Sequence, residues 1–108
     1  MGNFTCDGCG KTIQTIDGIL SWTREDNLLG NFKITHKDSL GTGCQPVENN
    51  RCRELYTLAL PTGFMEFVSY LLERWEDQFV LVEPKTLRNV MRQLSFHIHE
   101  KLLLMVED

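Results

Sequence analysis

The chain has 108 residues, 42% of them hydrophobic and 24% charged, with a formal net charge of −4 at pH 7. That composition suits one domain with an ordinary core, and it excludes a disordered chain, a repeat array and two independent cores. Both halves are acidic, six basic against seven acidic side chains in residues 1 to 55 and five against eight in residues 56 to 108. Neither half is therefore a general phosphate-binding surface.

The first residues, Met1-Gly2-Asn3-Phe4-Thr5, carry no basic stretch and no apolar run, so no secretory leader is expected. Met1-Gly2 opens like a myristoylation signal, but Cys6 stands where Ser or Thr belongs. The longest apolar run, Leu102 to Val106, is far too short to span a bilayer. The expectation is a soluble, cytoplasmic protein with no membrane contact.

Next comes the most informative segment, Cys6-Asp7-Gly8-Cys9-Gly10-Lys11. Two thiols separated by two residues fit one tight turn and present both sulfurs to a tetrahedral ion. Gly8 and Gly10 let the backbone fold closely around it and aim N–H groups at the thiolates. Downstream, Thr12-Ile13-Gln14 and Gly18 to Thr23 are β-like and flank the hairpin-type dipeptide Asp17-Gly18. Arg24 to Asn27 form a polar break. Phe32, Ile34 and His36 then alternate with Lys33 and Thr35, which predicts a strand carrying His36 inward at its end. Residues 37 to 53 read as a loop that returns Cys44 and Cys52 to the CxxC turn.

Residues 54 to 60 fit a short strand or a helical turn, ended by Pro61. With Thr62 as N-cap, Phe64, Phe67, Val68, Leu71, Leu72 and Trp75 recur at helical steps and predict an amphipathic helix. Phe79 to Val82 is a short β-prone run. A second helix is predicted from Pro84 to about Val106, with a stripe of Leu87, Met91, Leu94, Ile98, Leu102 and Met105. The two helices are expected to pack antiparallel. The C-terminal end is apolar nearly all round, so it needs a cover: the cysteine-bearing N-terminal half, a second copy or another protein.

Cys6, Cys9, His36 and Cys44 are the preferred ligands of a closed, structural Zn2+ site, with Cys52 as an alternative to His36 or Cys44. His36 ends an alternating strand, and Cys44 follows the flexible Gly41-Thr42-Gly43. Over residues 6 to 52 this arrangement resembles zinc-ribbon and treble-clef knuckles, in which CxxCG lies on a hairpin turn and a second ligand pair closes the site. Here the second pair is neither CxxC nor HxxxH. The bland reading is four reduced cysteines, some buried as small hydrophobes. Redox chemistry at Cys6 and Cys9 lacks its βαβ setting.

A hydrolytic zinc needs an open coordination position and a nearby base, and HExxH is absent. His97 and His99, two apart on a helix, point to different sides. A ββα-metal nuclease finds a foothold only in His36, Asn49 and Asn50, and no catalytic histidine is left nearby if His36 holds the ion. For nucleic acid, Arg24, Lys33, Lys37, Arg51 and Arg53 form a candidate edge, with Trp22 or Phe32 to stack, although Trp22 and Trp75 are of a type more often core than platform. Arg88 and Arg92, one turn apart, read as a solvated face.

The resulting expectation is an α+β chain, a single domain in which a β-rich zinc lobe (1–55) packs on a helical pair (56–108). No enzymatic activity is expected. The functional expectation is a small interaction or regulatory module, of the kind found among bacterial or phage accessory proteins and inhibitors. It binds another protein or itself, as a dimer, through Leu102, Leu103, Leu104 and Met105. Nucleic-acid binding is the second reading.

Overall fold

The computed structural model describes residues 4–37, 41 and 43–106, with side chains described through His99. Among these residues the elements run β1 (Phe4–Thr5), β2 (Thr12–Ile13), a 3-10 turn (Thr15–Asp17), β3 (Gly18–Glu25), β4 (Leu28–His36), β5 (Arg51–Glu54), α1 (Leu55–Leu58), α2 (Pro61–Glu76), β6 (Val80–Leu81) and α3 (Pro84–Val106). The architecture is α+β, with the helices in the C-terminal half.

β1 and β2 pair antiparallel and carry the CxxC turn between them. The main sheet has the order β5-β3-β4-β6, antiparallel except for the short parallel pairing of β4 with β6. The hairpin falls between β3 and β4, at Asp26-Asn27, rather than at Asp17-Gly18. Asp26 has φ 51°, a left-handed conformation that Asp tolerates well, and this tightens the connection. Asp17 instead ends the 3-10 turn that leads the chain from the small ribbon into the sheet, and Gly18 caps that turn and begins β3.

Leu20, Trp22, Phe32 and Ile34 line the apolar face of β3 and β4, and all are buried. The register shifts between Ser21 and Thr23, where Asn31 of β4 has φ 53°; this bulge keeps Phe32 stacked on Trp22 at 5.6 Å. One cluster joins these residues to Phe4, Ile13, Leu55, Leu58, Phe67, Val90 and Leu94, so both halves of the chain contribute. The chain before β5 secures the polar side of the sheet: Asn49 donates to the Ser21 hydroxyl at 2.8 Å and to the Asn31 carbonyl at 3.0 Å. Ser21 is fully buried, so this bond satisfies a hydroxyl that would otherwise be desolvated without a partner.

Each long helix rests mainly on the sheet or on α1 instead of pairing along its length with the other. α3 crosses β4 and inserts Val90, Leu94 and Ile98; the Phe32 N–H donates to the Thr86 hydroxyl in its first turn. α2 starts at Pro61 with Leu60 as its N-cap, not Thr62. The inward face of α2 is Phe64, Phe67, Tyr70 and Leu71, while Leu72 and Trp75 are 60% and 76% exposed. The apolar arc of this helix is wider than the surface available to it. Tyr70 ties the rotation by contacting Trp22, and Arg74 lies over both Tyr70 and Phe79. The apolar side chains Leu102, Leu103, Leu104 and Met105 lie outside the described side chains.

Candidate metal centre

The CxxC turn is closed by its own backbone. The Cys6 N–H donates to the Lys11 carbonyl and the Gly10 N–H to the Cys6 carbonyl, at 2.8 and 2.9 Å. Gly10 has φ 78°, where an L side chain would be strained. Asp7 then fastens the turn to β4. Its N–H donates to the Ile34 carbonyl, and its carboxylate accepts from the Ile34 N–H, both at 2.8 Å. His36 lies two residues further along that strand, so these two bonds set its distance from the thiols.

Cys44 arrives from the following loop. A Cβ on Gly8 would lie 2.8 Å from the Cys44 Cβ and 2.9 Å from its carbonyl oxygen. Glycine is required there for the turn and the loop to meet. Gly43, at φ 66°, turns the chain into Cys44.

The structure brings Cys6, Cys9, His36 and Cys44 together, with one ligand atom of each within 4.8 Å of the others. His36 Nδ1 is 3.5 Å from Cys9 Sγ and 3.9 Å from Cys44 Sγ. Tetrahedral zinc with ordinary bond lengths has S···N edges of about 3.6 Å. The donor set therefore has the spacing and chemistry of a group that could hold a metal ion. Cys6 is buried, Cys44 and His36 are half-buried and Cys9 is exposed. None of the four cysteines forms a disulfide.

Burial works against ionisation of Cys6, the largest single influence on it. Hydrogen bonds from the backbone of Cys9, His36 and Gly8, together with the His36 ring, outweigh that cost and lower its pKa from 9.0 to about 6. The Gly8 N–H lies 3.3 Å from the sulfur. A thiolate ready at neutral pH loses no proton when a cation arrives.

Cys52 lies outside this group. It is exposed on β5, paired in register with Ser21, because β5 begins at Arg51, where the sequence predicts that the loop runs on to residue 53. Asn49 and Asn50 are also occupied: Asn49 clamps β3 to β4, and Asn50 exchanges hydrogen bonds with the Arg24 backbone. Trp22 and Phe32 are core and offer no stacking surface. Arg24 lies 4.9 Å over Phe79, and Arg53 lies over Phe67 and Tyr70, so these cations cover aromatic rings.

Compared with protein-family models, curated proteins and solved structures, the chain matches none of them. Among the described residues no helix is long and apolar enough to cross a membrane.

Proposed function

We propose that this protein is a non-catalytic interaction or regulatory module whose Cys6, Cys9, His36 and Cys44 hold a structural Zn2+. The observation that carries this reading is the convergence of three sulfurs and one imidazole nitrogen within 4.8 Å. Thiolate and imidazole suit zinc, and four protein donors fill its tetrahedron, leaving no position for a reactive water. Three thiolates and a neutral imidazole around a dication carry a net charge of −1, which the backbone N–H groups of the turn offset. The ion would tie the β1–β2 ribbon to the end of β4 and to the Cys44 loop.

Partner binding follows from the same economy of structure. A protein or a second copy would cover the apolar C-terminal segment around Leu102, Leu103, Leu104 and Met105.

Elemental analysis of purified protein should return one zinc per chain. Chelation should lower the melting temperature, and Cys44→Ser should do the same while Cys52→Ser does not. Metal-free protein with unchanged melting overturns the zinc assignment. Light scattering addresses the partner: a dimer that Leu103→Glu dissociates supports self-association, and a strict monomer removes it.

A further inference from the structure

The surface beside the metal centre has a different character from the rest of this acidic chain. A recess of about 350 Å³ opens between β4 and the first half of α3, lined by Lys33, Lys85, Arg88 and Arg92 with Asn89 and Asp7. Among the described residues none of the four cations is in an ion pair or hydrogen bond. The single acid in the lining, Asp7, already accepts the Ile34 N–H. The sequence has no acidic residue between Glu83 and Glu100. Four unpaired positive charges thus converge on one concavity of a chain whose net charge is −4.

Helical spacing extends the feature. Lys85, Arg88 and Arg92 fall on one exposed stripe of α3, and Phe96, one turn further, is 65% exposed on the same stripe. The helix cations are spread over about 10 Å of axis, a spacing suited to successive phosphates and too wide for one. An exposed ring in line with them is a stacking platform. The recess is open and mostly polar, with Phe32 and Thr86 completing its lining.

We propose that this face binds single-stranded nucleic acid, with Lys33, Lys85, Arg88 and Arg92 following the phosphodiester backbone and Phe96 stacking on a base. This goes beyond the structural-zinc reading and does not depend on it, because none of these five residues is a metal donor.

The test is fluorescence anisotropy of the full chain with a labelled single strand of about twelve nucleotides, the matching duplex, and a phosphoserine peptide. Micromolar binding to the single strand is expected at low salt, weakening as salt rises from about 50 to 200 mM as it does for several phosphate contacts. The charge reversal Arg88→Glu with Arg92→Glu should weaken it at least about tenfold, and Phe96→Ala about fivefold or more, with circular dichroism and metal content unchanged. Lys85→Glu serves the same purpose if the double variant misfolds. Absent binding, affinity insensitive to these variants, equal affinity for the duplex, or tighter binding of the phosphopeptide each overturns the proposal.

Discussion

Cys6 shows how several weak donors set the chemistry of one atom. Its sulfur is buried, yet backbone hydrogen bonds hold its pKa near 6, below the ordinary 9.0. A thiol whose pKa falls on folding stabilises the folded state while it is ionised. In metal-free protein that contribution is complete above pH 9.0, shrinks as the pH falls, and is gone once the pH passes below about 6. Denaturation midpoints of the metal-free chain on either side of this window should therefore drop on the acid side, and Cys6→Ser should remove that part of the slope. A slope that survives the substitution would locate the effect elsewhere. CxxC spacing and the strand alternation at His36 made three of the four converging residues legible in the sequence. Cys44 was distinguished from Cys52 only by the glycines preceding it, because the deciding contact, Gly8 against Cys44, joins segments that spacing cannot relate.

The long elements follow the hydrophobic periodicity closely where the pattern is narrow. α3 spans Pro84–Val106 as its stripe predicts, although Val90, buried at 1% exposure, sits beside the residues that define that stripe. α2 is less legible because its apolar arc is broad. Which part faces inward is decided by the rings of Trp22 and Tyr70, not by the helix itself. Phe67→Ala should cost about 3–5 kcal/mol of unfolding free energy, and Trp75→Ala should stay within about 0.5 kcal/mol in the monomer. Chemical denaturation of both variants checks this, and similar losses at the two positions would show that the rotation assigned to α2 is wrong. β5 was hidden for a related reason. Arg51 to Glu54 has no apolar alternation, and it becomes a strand because β3 offers it an edge.

Across the full chain, charge separates into territories that the total conceals. Arg24, Arg53 and Arg74 are spent on aromatic rings at the α2 side, whereas Lys33, Lys85, Arg88 and Arg92 remain together on the other side of β4. Lys33 was legible only as one member of an edge with Arg24, Lys37, Arg51 and Arg53. On β4 it follows Phe32, whose N–H donates to the Thr86 hydroxyl of α3, and α3 supplies the rest of its neighbourhood. The balance of each half of the sequence was therefore a poor guide, since the recess draws on both.

The outlying position of Cys52 gives the protein a built-in report on its own state. Three sulfurs would be shielded by coordination while the fourth faces solvent on β5, so a colourimetric thiol reagent should consume one equivalent rapidly in the loaded protein and four after chelation. The same lone sulfur accepts a fluorophore without disturbing the cluster, which turns a counting assay into a means of following partner encounters in real time.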